Sequence, residues 1–236
     1  MLESLRNKRI LVVVAHPDDE LLGLGASMNR LIKDYQVNTH VVILGEGITS
    51  RSEERNTEKW KAELAIHRKN IHAAQEAIGY HSVAIYDFAD NRFDTVALLD
   101  IIKIIETEKE KFQPDIIFTH HGGDLNIDHQ RTFEAVITAC RPMSNEIVKS
   151  IISFETASGT EWRASTDPRH FIPNLFIEVT QKNLDAKITG MECYEFEKRP
   201  YPHPRSPEAL KIQAQRWGVA TGNQFAEAFM LIRSIN

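Results

Sequence analysis

Apolar residues along the chain fall into short β-branched runs separated by longer stretches of helical spacing. Residues 10–14 are long enough only for a buried strand. Leu21, Leu22, Leu24, Met28, Leu31 and Ile32 then recur at the spacing of one helix face. Further strands are predicted at 38–44, 83–86 and 116–118. Between them come a helix with Leu64, Ile71, Ala74 and Ile78 inward, stopped by Gly79, and a helix over 95–111, ended by Pro114. Another helix opens at His129 and runs to about Cys140. Strands alternating with helices predict α/β architecture, a three-layer Rossmann-like sandwich with a mainly parallel sheet. The C-terminal extension is harder to read. Strands are expected at 147–155 and 175–179, and helices at 184–194 and 207–217, the second capped by Ser206. Residues 201–206 are proline-rich and extended, and no element is placed after 217. Without a linker or repeat the chain reads as one domain, 1–236, with a core over about 8–142 and an extension over about 143–236.

Two polar loops carry the chemistry. Ala15-His16-Pro17-Asp18-Asp19-Glu20 follows the first strand and precedes a helix, at the sheet edge where open α/β folds keep their ligands. One imidazole and three carboxylates within five residues repel one another unless a cation shares them. A divalent metal held by some of them, with one carboxylate left for proton transfer, is the simplest reading. An ordinary acidic helix start, with Pro17 in its first turn, is the competing one. A second loop, His120-His121-Gly122-Gly123-Asp124-Leu125-Asn126-Ile127-Asp128-His129, also follows a strand and precedes a helix, and so can meet the first. The loops 45–51 and 87–94 lie at the same edge. Gly23 and Gly25 suggest a dinucleotide fingerprint, but they fall inside a helix and the third glycine is replaced by Met28. Close helix–sheet packing explains them better.

Composition removes several function classes. A net charge of −5 over 236 residues argues against a nucleic-acid binder. No apolar run is long enough to span a bilayer, and residues 1–9 lack a signal-peptide core. Cys140 and Cys193 have no C-x-x-C partner, so the expected compartment is the reducing cytoplasm, with each cysteine a small buried hydrophobe.

His-Pro-Asp-Asp-Glu near the start and Asp-x-Asn-x-Asp-His in mid-chain together resemble the PIG-L (LmbE-like) family of zinc-dependent de-N-acetylases. The resemblance implies a zinc ion on His16, Asp19 and His129, although iron(II) suits the same ligands. It implies Asp18 as general base and a zinc-bound water as nucleophile. Glu20 is assigned to support or capping, and Asp128 to orienting a ligand imidazole. One departure stands out. Some relatives carry a histidine three residues before the last ligand, where this chain has Asn126, and an amide supplies neither proton nor positive charge. His203, held between prolines, is the first candidate to replace it, followed by His120 and His121.

The implied reaction is removal of an N-acetyl group from an amino sugar or its conjugate. Arg51, Asp90, Arg92, Trp162 and Arg205 are expected to shape the pocket, and the three arginines suggest a phosphorylated or nucleotide-linked sugar. A glycosyl-thiol precursor or a glycopeptide is the alternative substrate. A non-catalytic, metal-dependent sugar-binding module is the alternative function, against which Asp18 speaks. Homo-oligomerisation is left open.

Overall fold

The computed structural model describes residues 2–235. Seven strands form one sheet in the order β3-β2-β1-β4-β5-β7-β6. Strands β1 (Arg9–Val14), β2 (Asn38–Gly45), β3 (Ser82–Phe88), β4 (Ile116–His120) and β5 (Ser150–Phe154) are parallel. The sheet is closed at its other end by β6 (Leu175–Glu178) and β7 (Ala226–Ser234), with β7 antiparallel to both β5 and β6. The mainly parallel sandwich expected from the apolar pattern is therefore present.

Strand β1 shows why three layers form. Alternate side chains leave a strand on opposite faces, yet residues 10–15 are all fully buried, so both faces must be covered. Ile10, Val12 and Val14 join a core that includes Leu21, Met28 and Leu31 with Ile71 and Ile78. Leu11, Val13 and Ala15 join a separate core with Ile101, Ile105, Ala135 and Val136. The first set meets helices α2 (Gly25–Tyr35), α3 (Lys61–Ile78) and α6 (Gln181–Cys193); the second meets α4 (Leu98–Phe112) and α5 (Ile127–Ala139).

The connection from β1 runs to β2 on one side, while β4 lies on the other. The carboxyl ends of β1 and β4 thus flank the switch point of the strand order, where a crevice opens in such sheets. Both histidine-bearing loops emerge there.

Three local differences from the sequence expectation have physical causes. The helix after His16 is broken into α1 (Asp19–Leu22) and α2, with Gly23 as the α1 C-cap. A Cβ at Gly23 would lie 2.1 Å from Phe154 Cδ2 on β5, so the close-packing role expected of this glycine is met. Gly23→Ala should cost about 1–3 kcal/mol through overpacking, read as a lower denaturant midpoint at unchanged slope. Strand β7 went unforeseen because Ala226, Glu227, Ala228, Met230 and Leu231 are helix-favouring residues; pairing with β5 and β6 overrides that propensity. Helix α7 (Pro207–Thr221), capped by Ser206 accepting from the Ala209 N–H, runs four residues beyond the expected end at 217. Among the described residues no helix is long and apolar enough to cross a membrane. Cys140 is buried and Cys193 partly so, both as free thiols.

Candidate metal centre and pocket

The loop after β1 turns abruptly. Asp18 takes a left-handed backbone conformation, φ 97°, and its N–H donates to Glu20 Oε2 at 3.0 Å. Glu20 Oε1 accepts from the Tyr194 hydroxyl at 2.6 Å. Burial lifts the Glu20 carboxyl to about 7. Through these two hydrogen bonds it braces the turn. Strained non-glycine backbone gathers at this end of the molecule: Asp18, Ile48, Asn91 and Ser158 all have positive φ, and all four line one cavity. That cavity, about 280 Å³, sits over the carboxyl ends of β1 and β4.

The three expected ligands converge beside the cavity, and of the three His16 lines it. Asp19 Oδ2 lies 3.4 Å from His16 Nδ1 and 3.4 Å from His129 Nε2. The donor atoms of His16, Asp19 and His129 lie within 4.8 Å of one another, and the three residues are buried. Each imidazole is backed by a carboxylate at its other nitrogen. His16 Nε2 is 2.8 Å from Asp128 Oδ2, and His129 Nδ1 is 3.1 Å from Asp124 Oδ1. Burial alone would lower His16, but Asp128 and Asp19 outweigh it and hold the ring above its ordinary value. Burial likewise opposes His129, which Asp19 and Asp124 hold up at about 9. Burial would raise Asp19; His129 and His120 hold it well below the usual carboxylate range. Two imidazoles and a carboxylate aimed at one point, each imidazole oriented from behind, fit a hydrolytic divalent ion.

His16, Asp90 and Asp128 form a second acidic cluster with similar spacing. It would use the opposite nitrogen of His16, and its members are already engaged. Asp128 accepts from the backbone N–H of Asn91 at 2.7 Å and of Phe93 at 2.9 Å as well as facing His16. Asp90 Oδ2 accepts from the Ser50 hydroxyl at 2.6 Å. This cluster orients His16 and ties down the two neighbouring loops.

Asp18 stands in the cavity wall and outside both donor sets. Its Oδ2 accepts from Arg205 Nη1 at 2.8 Å. Burial pushes the Asp18 carboxyl well above the usual range, against the pull of Arg205. Arg205 Nη1 also donates to Glu197 Oε2 at 2.6 Å, and Glu197 Oε1 accepts from Arg51. Two of the three arginines expected to bind phosphate are therefore neutralised inside the protein. The third, Arg92, is exposed and borders a neighbouring depression with Ser52, Glu53 and Asp94. A three-arginine phosphate site is not assembled.

The remaining expected residues separate clearly. Asp90, Asn126, Trp162 and His203 line the cavity. Trp162 is 52% exposed at the rim, and the His203 ring meets it nearly edge-on, with centroids 5.7 Å apart. His203 Nδ1 accepts from the Arg205 N–H at 3.2 Å, which puts a neutral ring's proton on Nε2. Asn126 is committed elsewhere: Oδ1 accepts from the Asp128 N–H at 2.8 Å, capping α5, and Nδ2 donates to Asn91 Oδ1 at 3.0 Å. His120 is fully buried; its Nε2 accepts from the Ala15 N–H at 2.9 Å, and burial holds it down at about 4. His121 turns away toward the Arg169 carbonyl, 2.7 Å from Nε2. Neither rival imidazole lines the cavity. Glu197 and Asp124 escaped the sequence reading, although Asp124 stands in the second motif, five residues before His129.

His67 packs behind the cavity, 1% exposed, with neither ring nitrogen hydrogen-bonded among the described residues. Burial holds it down at about 4, so the folded protein keeps it neutral where an unfolded chain protonates it near 6.5. The His67 contribution to stability should therefore fall as pH drops below about 6.5 and level off near 4, by roughly 3 kcal/mol at most. Denaturant midpoints of His67→Leu and the wild type should converge with rising pH and separate on acidification, with the variant the more stable. A pH-independent difference would refute this.

Known proteins resemble this chain in sequence or in fold. The "Uncharacterized deacetylase YaiS" of Escherichia coli (strain K12) is 29% identical over 204 residues, covering 81% of this chain and 94% of its own. The N,N'-diacetylchitobiose deacetylase of Pyrococcus horikoshii superposes with a TM-score of 0.71 at 18% identity, over 96% of this chain and 84% of its own. GalB of Pseudomonas putida KT2440, a 4-carboxy-2-hydroxymuconate hydratase, superposes at 0.72 and 22% identity, over 97% and 98%. These superpositions establish a shared fold. The family model described as "PIG-L: GlcNAc-PI de-N-acetylase" matches residues 11–140, more than half of the chain and both histidine-bearing loops, so the chain belongs to the PIG-L family of deacetylases.

Proposed function

We propose that this protein removes the acetyl group from an N-acetylated amino sugar, with a zinc ion held by His16, Asp19 and His129 and with Asp18 as general base. The observation that carries this reading is the place of Asp18: next in sequence to a ligand, in the cavity wall, yet outside the ligand set. A binding module would need the three ligands but not that carboxylate. When bound, the metal would polarise the amide carbonyl and make a coordinated water more acidic. Asp18 takes the proton of the attacking water and delivers it toward the departing nitrogen. Burial, which raises its proton affinity, suits it to both tasks. Arg205 fixes the Asp18 carboxylate through Oδ2, leaving Oδ1 for the water. Trp162 offers a flat apolar face to a pyranose ring at the rim.

Asn126 is spent on its cap and on Asn91, and we assign assistance of the leaving amine to the Nε2–H of His203, which lines the cavity. The sugar's identity is tested by measuring acetate release across N-acetyl sugars, nucleotide-linked sugars, glycosyl-thiol precursors and glycopeptides, with zinc or iron(II) supplied to metal-free protein. Release from at least one N-acetyl sugar is expected. Failure of all of them with a full metal complement would overturn the reading.

A further inference from the structure

The cavity contains three arginines, and their partners differ. Arg51 and Arg205 share Glu197, and Arg205 also holds Asp18. Arg199 lines the same cavity, but its hydrogen bonds among the described residues run from Nη1 to the carbonyl oxygens of Phe196, at 2.9 Å, and Lys198, at 2.7 Å. No carboxylate pairs with it among the described residues. Backbone carbonyls orient a guanidinium without neutralising it, so Nε and Nη2 remain available as charged donors in a fixed fork. The residue is half-buried, and its charge is felt at His203, which burial and then Arg205 and Arg199 hold below its ordinary value. Arg199 therefore belongs to the Trp162–His203 side of the pocket, whereas the carboxylates Asp18 and Glu197 are occupied by Arg205 and Arg51.

We propose that Arg199 is a specificity-determining residue that binds an acidic group, carboxylate or phosphate, on the N-acetyl sugar or on the unit attached to it. This rests on the deacetylase reading of the same pocket. The anion lands on the arginine that lacks an internal counter-charge, rather than on Arg51, Arg92 or Arg205. A carboxylate or phosphate facing Nε and Nη2 makes two parallel charge-assisted hydrogen bonds.

Three probes separate the sources of charge: N-acetylglucosamine, its 1-phosphate, and N-acetylmuramic acid, which carries a carboxylate. Affinity is measured by calorimetric titration into the metal-loaded wild type and into Arg199→Gln and Arg199→Lys, alongside acetate release. The wild type should bind at least one acidic probe about tenfold or more tightly than the neutral sugar. Arg199→Gln should abolish that preference while changing affinity for N-acetylglucosamine less than about threefold, and Arg199→Lys should restore part of it. Which acidic probe responds identifies the anion. If the acidic probes bind tightly and none of the three is deacetylated, the role of Arg199 stands, and the proposed reaction is decided separately by the wider substrate series. A wild type without preference for either acid, or an Arg199→Gln protein that loses neutral and acidic sugars equally, overturns the proposal.

Discussion

Asp18→Asn is expected to keep a full equivalent of metal and to lose roughly 10²–10⁴-fold in turnover. The substitution isolates the proton chemistry from the surrounding structure. Asparagine tolerates the left-handed backbone at this position, where φ is 97°, better than alanine does. Its amide oxygen can still accept from Arg205, so the link to Glu197 survives. What disappears is a group that can accept a proton and return it. The checks are elemental analysis and initial rates on the same preparation. Loss of metal in parallel with activity would make Asp18 a ligand and end the proposed division of labour between it and Asp19.

His129→Ala should release the metal and with it all measurable turnover. Removing an imidazole leaves Asp19 and His16 as a two-donor site, too few for a hydrolytic centre. A graded comparison makes the result specific. Asp124 meets the other nitrogen of His129 at 3.1 Å, so Asp124→Asn alters orientation without removing a ligand. It should weaken metal affinity by about 10–100-fold. Competition with a chelator would then rank wild type, Asp124→Asn and His129→Ala in that order. Full metal retention in His129→Ala would invalidate the assigned centre.

The convergence of His16, Asp19 and His129 was legible because two short segments carry them, each delivered by the end of a strand that its apolar run betrays. Local sequence states both the donor atoms and their address on the sheet. The support of the site follows other rules. Asp18 and Arg205 are separated by 187 positions, and Glu197 sits in a stretch, Tyr194 to Lys198, with no motif at all. Their meeting depends on how α6 and the following loop pack beside α1, which no local pattern encodes. The same gap explains the arginines. Counting cations suggested an open phosphate site, whereas pairing with buried carboxylates decides which charges remain for a substrate. His203 lines the cavity, and Arg92, adjacent in sequence to residues that do line it, does not.

The interleaving of β7 between β5 and β6 bears on the order of assembly at the ribosome. Strand β6 is synthesised about fifty residues before β7, yet β7 is its sheet neighbour. A nascent chain can therefore complete β1 to β4 and both histidine-bearing loops while β6 is still waiting for its place. The segment carrying Arg199, His203 and Arg205 emerges in that interval. Ion capture can then precede completion of the pocket, so a chain stalled in translation could hold metal and yet be unable to hydrolyse anything.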